Sequence, residues 1–368
     1  MAQALYRKYR SKKLGDLLEQ ETTVQILKNA AKTGRIGQAY IFYGPRGTGK
    51  TSTARLLAKL LNCEKRRTDP EFAKLGEPCN ECAACREIDL QSSFDVVEID
   101  AASNRGIDEI RNLKESIRTA PAGGGSKIYI IDEAHMLTGA AFNALLKTLE
   151  EPPKHAVIVL ATTEYEKLPP TITSRAQRFA FKKVSKAAIM GKLAAEAKAE
   201  KIKIDEPALE LIAAIAEGSV RDAESLLDQI SSLGGAVTLA DVERITGRTG
   251  LAKIAEFAAI ILRKDLPAAL AELSALNDEG GNPVQFMKDL IHYLRKVLAL
   301  KLSPTLEKVF ERELTKEEVA VVKQLGANAD VAFLVTVEKA FIRAYSEMRY
   351  SPFAATPLEI ALVENLAS

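Results

Sequence analysis

Residues 44–51 read GPRGTGKT, directly after the apolar run AYIFY and directly before STARLLAKLL. Gly-x4-Gly-Lys-Thr between a buried strand and a helix is the spacing of a loop wrapped around a triphosphate. Glycines permit the close backbone approach and the dihedrals that such a loop needs. The N–H groups of Gly47 to Thr51 are predicted to surround the β-phosphate. Lys50 is placed to bridge the β- and γ-phosphates, and the Thr51 hydroxyl to ligate Mg²⁺. The following helix turns the positive end of its dipole toward the anion. The expected triphosphate-binding residues are Gly44, Pro45, Arg46, Gly47, Thr48, Gly49, Lys50, Thr51 and Ser52.

A second apolar run, IYIIDEAH, ends in Asp132 and Glu133. At a strand tip, Asp132 can hold Mg²⁺ through water, and Glu133 can act as general base toward the water that attacks the γ-phosphate. VLATT closes another strand with Thr162 and Thr163, where a hydroxyl can sense the γ-phosphate or orient the water. TSRAQRF sets Arg175 at the end of a helical turn. An arginine that reaches a γ-phosphate accelerates phosphoryl transfer by about 10³–10⁵-fold. His135 is read as a supporting polar residue rather than a catalytic one.

The elements around these motifs alternate. Helical spacing covers 21–33, about 50–61, 107–118 and 139–151, and strands are expected at 39–43, 95–100, 128–132 and 156–163. A turn runs into a last strand within 171–181. This alternation argues a parallel sheet covered on both faces. After about Lys183 the strand signals stop. Helices are expected from 185, 206, 219 and 238, then helix after helix to the end, broken at 278–283, Pro304 and Gly326.

All four cysteines fall between Cys63 and Cys85, as C-x15-C-x2-C-x2-C. The clustering reads as metal binding rather than disulfides. Cys63, Cys79, Cys82 and Cys85 can surround Zn²⁺ with Zn–S of about 2.3 Å, a closed and therefore structural site. C-x2-C-x2-C is also a ferredoxin pattern, but no proline follows Cys85 and nothing else suggests redox chemistry.

Composition narrows the rest. The 368 residues suffice for two or three domains. A formal net charge of +2 leaves any nucleic-acid role to local patches or to an assembly. Three histidines and no tryptophan give His-based catalytic sites little to draw on. No apolar stretch approaches the roughly 18 residues of a membrane span. The start, MAQALYRKYRSKK, has five basic residues, no acid and no apolar core, unlike a secretory signal. A cytoplasmic protein without membrane partners is expected.

With these residues in place, the chain closely resembles the gamma/tau family of bacterial DNA polymerase III subunits, the motors of the sliding-clamp loader and members of the AAA+ ATPases. The matching stretches are ALYRKYR, GPRGTGKT, the cysteine insertion, IYIIDEAHMLTGAAFNALLKTLEEPP, LATTEYEKLPPTITSR and GSVRDAESLLDQ. The resemblance implies an AAA+ nucleotide-binding domain over 1–182 with a zinc insertion at about 62–90, a helical lid over 183–248 and a helical collar over 249–368. It implies that Thr163 is the sensor-1 residue and Arg221 the sensor-2 arginine. Arg175 would be the finger that acts in trans on a neighbour's ATP. Tyr9, Arg10 and Leu18 would lie near the adenine, and Asn104 and Arg105 would face DNA.

The implied cofactors are ATP, Mg²⁺ and Zn²⁺. The implied partners are delta- and delta-prime-type subunits and further copies of the chain in a ring-like pentamer, with the beta sliding clamp and primer-template DNA. Ser11, Glu19 and Ala176 stand where the family usually has Pro, Gly and Cys, and the x15 gap is longer than usual. A DEAH-type helicase would need a second RecA-like lobe, which the helical tail argues against. A branch-migration ring motor fits the cysteine insertion and LPPTITSR poorly. Intact Lys50, Glu133 and Thr163 speak against a scaffold that binds nucleotide without hydrolysis.

Overall fold

The computed structural model describes residues 3–103, 110, 113, 115–123, 125–247, 250–278, 281–311 and 313–367. They form two compact units. One holds Met1–Val184 with Ser219–Arg221, the other Ser185–Gly218 with Asp222–Ser368.

The first unit is built on five parallel strands: β1 (Ala39–Tyr43), β2 (Val96–Asp100), β3 (Lys127–Asp132), β4 (Ala156–Thr162) and β5 (Gln177–Ala180). Their spatial order is β2-β3-β4-β1-β5. Successive side chains on a strand point to opposite faces. Tyr40, Phe42, Ile128, Ile130, Val157 and Val159 accordingly enter one core, and Ile41, Tyr129, Ile131, Ile158 and Leu160 the other. Helices α1 (Glu21–Thr33) and α2 (Lys50–Asn62) send Leu27, Leu56, Leu57 and Leu60 into the first core. The cysteine insertion follows α2 and contains α3 (Ala83–Leu90). Helix α4 (Gly139–Glu150) packs Phe142, Leu145 and Leu149 into the second core. Both faces of the sheet are covered, as its uninterrupted apolar strands require.

This order decides where chemistry can occur. β3, β4 and β1 are neighbours and parallel, so the segments leaving their carboxyl ends emerge together. In open α/β sheets that edge is where ligands bind.

The second unit is helical: α5 (Lys186–Ala199), α6 (Glu206–Ile215), α7 (Val220–Ser231, whose first two residues belong to the first unit), α8 (Leu239–Thr246), α9 (Leu251–Leu262), α10 (Leu266–Asp278), α11 (Pro283–Leu302), α12 (Lys316–Asn328), α13 (Val331–Met348) and α14 (Thr356–Leu366). Side chains of Ser185, Asp205, Thr238 and Asn282 cap the first turns of α5, α6, α8 and α11. One expectation fails: Gly326 does not break the chain but lies within α12. A Cβ there would sit 3.3 Å from the Val297 carbonyl oxygen, and Lys301 Nζ donates to the Gly326 carbonyl at 2.8 Å. The glycine serves close helix packing, not termination.

Among the described residues no single helix is long and apolar enough to cross a membrane. The bent pair Glu317–Ala327 and Val331–Met348 passes on length and composition. It supplies Val319, Val322, Leu334, Val337 and Phe341 to the protein's own core.

Candidate functional site

The glycine loop joins β1 to α2. At Gly47 the backbone is left-handed (φ 72°), and a Cβ would lie 1.9 Å from Ser219 Oγ. Only glycine meets both conditions without strain. Val220 N–H donates to the Gly47 carbonyl at 3.1 Å. Lys50 is 6% exposed, and its Nζ donates to the carbonyls of Gly44 at 2.9 Å and Pro45 at 2.7 Å. Burial pulls the ammonium below its ordinary pKa, while the charges of Glu133 and Asp132 act in the opposite direction.

The acid pair arrives from β3. Thr51 Oγ1 donates to Asp132 Oδ2 at 2.7 Å, and Glu133 N–H to Asp132 Oδ1 at 3.0 Å. Burial pushes the Asp132 carboxyl up, against the Thr51 hydroxyl and the Glu133 N–H, which pull it down. Glu133 itself is left-handed (φ 46°, ψ 46°). A non-glycine residue rarely adopts that conformation, and when it does the place is worth attention.

β4 contributes the third part. Thr163 donates to Glu133 Oε2 through its Oγ1 at 3.0 Å and through its N–H at 3.2 Å. Thr162 is fully buried and turns elsewhere. Its Oγ1 lies 2.9 Å from His135 Nδ1 and accepts Glu164 N–H at 3.0 Å. Three strand ends thus bring Lys50, Thr51, Asp132, Glu133 and Thr163 together. An ammonium, a hydroxyl–carboxylate pair and a second carboxylate on a glycine loop suit a polyphosphate and a hard cation held by oxygen.

Other expected residues stand apart. Arg175 Nη2 pairs with Glu150 Oε1 at 2.7 Å, and its Nη1 donates to the Thr171 carbonyl at 2.8 Å. Arg221 stacks over the Tyr6 ring at 5.0 Å, a cation–π distance. Tyr9, Arg10 and Leu18 are half-buried. Asn104 and Arg105 lie outside the described residues.

Sequence reasoning missed Tyr6, Leu17, Ser219 and the approach of His135 Nε2 to Glu164 Oε1, at 3.1 Å. Tyr6 lies within ALYRKYR, three residues before Tyr9. Leu17 Cδ2 comes within 3.2 Å of a Cβ built on Gly49. No local pattern signals that approach.

The sulfurs of Cys63, Cys79, Cys82 and Cys85 lie within 4.8 Å of one another. Tetrahedral Zn–S bonds of about 2.3 Å put sulfurs about 3.8 Å apart. Cys79 and Cys85 are at 4.0 Å. Burial raises the Cys79 thiol, but N–H donors from Glu81 and Cys82 together with the Cys63 and Cys82 side chains outweigh it and bring it to about 7. Four sulfurs at this spacing fit a tetrahedral thiolate centre.

Residues 19–185 match the family described as DNA polymerase III, delta subunit, and 188–236 that described as DNA polymerase III clamp loader subunit, ATPase lid domain. Residues 237–367 match DNA polymerase III subunits gamma and tau domain III. The DNA polymerase III subunit gamma of Buchnera aphidicola is 33% identical, over 100% of this chain and 99% of its own. The subunit tau of Bacillus subtilis is 42% identical, over 98% of this chain and 63% of its own. The subunit tau of Escherichia coli is 35% identical, over 99% of this chain and 55% of its own. The chain therefore spans 55% to 63% of these tau proteins' length.

Proposed function

Because the chain belongs to the gamma/tau family of DNA polymerase III subunits, we propose that it is an ATP-hydrolysing motor of a clamp loader, which opens a ring-shaped sliding clamp and places it on primed DNA. The observation that carries this reading is the convergence of Lys50, Thr51, Asp132, Glu133 and Thr163 at the ends of β1, β3 and β4.

In this reading the loop from Gly44 to Ser52 wraps the phosphates, and Lys50 leaves its carbonyl partners for the β- and γ-oxygens. Thr51 and Asp132 would hold Mg²⁺, which when bound neutralises charge on the phosphate oxygens. Glu133 takes a proton from the attacking water as the γ-phosphorus gains that oxygen and releases ADP. Thr163 aims the Glu133 carboxylate. Arg175 acts on the nucleotide of an adjacent subunit, and Arg221 answers to the γ-phosphate of its own. Tyr9, Arg10 and Leu18 border the adenine.

The nucleotide-binding domain is 1–182, the lid 183–248 and the collar 249–368. The chain works with delta- and delta-prime-type subunits and further copies of itself in a five-membered ring, on the beta clamp and primer-template DNA, with Asn104 and Arg105 toward the DNA. The four thiolates hold Zn²⁺ as a structural centre, and the protein is cytoplasmic.

Phosphate release in the assembly with partner subunits, clamp and primed DNA tests this. Wild type should turn over ATP faster when clamp and DNA are added, and Lys50→Ala should not turn over. Nucleotide binding without any turnover would leave a scaffold, and no nucleotide binding would end the proposal.

A further inference from the structure

The cysteine insertion also carries a carboxylate that grips the segment in front of the phosphate loop. Glu77 stands two residues before Cys79. Its Oε2 accepts the Leu14 N–H at 2.7 Å and its Oε1 the Gly15 N–H at 3.0 Å. Lys28 Nζ, on α1, closes on Oε1 at 2.6 Å. The Glu77 side chain is 13% exposed. A carboxylate that takes two backbone N–H groups in such a setting makes charge-assisted bonds, stronger than neutral ones and fixed in direction.

What Glu77 holds leads to the loop. Leu14 is fully buried, and Leu17, three residues on, is 8% exposed. Leu17 Cδ2 is the atom that meets a Cβ built on Gly49, at 3.2 Å. The other end of the insertion is tied to the same helix that opens with Lys50 and Thr51. Cys63 closes α2. Lys59 of α2 is 2% exposed, donates to Asn80 Oδ1 at 2.9 Å and pairs with Asp89 at 2.5 Å. The insertion therefore spans from the far end of α2 back to the segment that packs on the loop at its near end.

We propose that the metal module positions the nucleotide-side segment Leu14–Leu17 through Glu77. Gathering the four thiolates on a metal fixes the stretch that carries Glu77. Glu77 then fixes Leu14 and Gly15, and Leu17 is held against the phosphate loop. Metal occupancy thereby sets nucleotide affinity. Glu77 is a positioning residue, and the proposal rests on the reading that the loop binds ATP.

The test is titration of the full chain with a fluorescent ATP analogue, with bound metal measured by elemental analysis. Glu77→Ala should keep its metal and raise the analogue's Kd roughly tenfold. Glu77→Gln, which retains one acceptor oxygen, should fall between. Stripping the metal from wild type with a chelator should weaken binding by a similar factor, and stripping it from Glu77→Ala should add little. In the assembly with partner subunits, Glu77→Ala should raise KM for ATP and leave kcat near wild type. Should Glu77→Ala lose its metal, Glu77→Gln carries the same comparison.

Wild-type affinity in a metal-loaded Glu77 variant would overturn the proposal. So would equal weakening by the chelator in wild type and Glu77→Ala. A wild type that binds no nucleotide would overturn the ATPase reading and this proposal with it.

Discussion

Thr163 holds Glu133 twice: one carboxylate oxygen, Oε2, accepts its hydroxyl at 3.0 Å and its backbone N–H at 3.2 Å. His135 Nδ1 lies 3.4 Å from the same oxygen, and His135 Nε2 lies 3.1 Å from Glu164 Oε1. The residue proposed as base is thus aimed by the end of the neighbouring strand, with His135 beside the same oxygen. Its backbone is left-handed, at φ 46°, a strained conformation for a non-glycine residue.

Thr163→Ala should therefore lower kcat more than it raises KM. A misplaced reacting group costs on the order of 10²-fold in rate. Thr163→Ser keeps the hydroxyl and should retain most turnover. Steady-state phosphate release at saturating ATP reads the difference, and equal rates for Ala and wild type would show that the hydroxyl is idle.

Gly47→Ala should weaken nucleotide binding by about five- to 150-fold, since an added Cβ at φ 72° meets Ser219 Oγ at 1.9 Å and such strain costs about 1–3 kcal/mol. Ser219→Ala in the same chain removes the Oγ but leaves the Ser219 Cβ position at 2.8 Å, so it should restore binding only in part. Fluorescence titration of the single and double variants decides the point.

The Arg175–Glu150 pair is half-exposed, with side chains 35% and 47% accessible. Exposed pairs of this kind contribute about 0–1 kcal/mol. Arg175→Ala should accordingly leave thermal stability and the nucleotide affinity of the separate chain nearly unchanged. In the assembled ring it should reduce turnover by about 10³–10⁵-fold. Mixing wild-type and variant chains locates the defect: turnover lost at the neighbour's nucleotide supports action across the seam, and loss confined to the variant's own nucleotide refutes it.

A pH dependence follows from the helical unit. Lys192 Nζ lies 3.1 Å from Glu196 Oε1 and 3.2 Å from Glu224 Oε1, and both carboxyls are buried. Burial pushes Glu224 up to about 8, and Glu196 also rises, with Glu200 adding negative charge nearby. A raised carboxyl binds a proton in the folded state that the unfolded chain releases near its ordinary value of about 4.3. The stability it contributes is present below that value and is lost as pH rises toward 8. The thermal midpoint should fall as pH rises from about 4.5 to about 8 and level off above, and Glu224→Gln should flatten that slope. An unchanged slope in the variant would show that another group is responsible.

The phosphate loop, the acid pair at the end of β3 and the four cysteines could be read in the chain because each is a short pattern whose chemistry depends on neighbours within a few residues. The same holds for the strands and helices, whose apolar periodicity is local. Folding alone decided that Thr163 and not Thr162 meets Glu133, and that Ser219 closes on Gly47. It also decided that Arg221 lies on Tyr6, that Arg175 pairs with Glu150, and that Gly326 packs inside a helix. These pairs are separated by tens to hundreds of residues, and strand order and helix packing, which no local period encodes, bring them into contact. Glu77 makes the case most plainly: it follows a glycine in an ordinary-looking loop, and only the folded chain shows that its carboxylate carries Leu14 and Gly15.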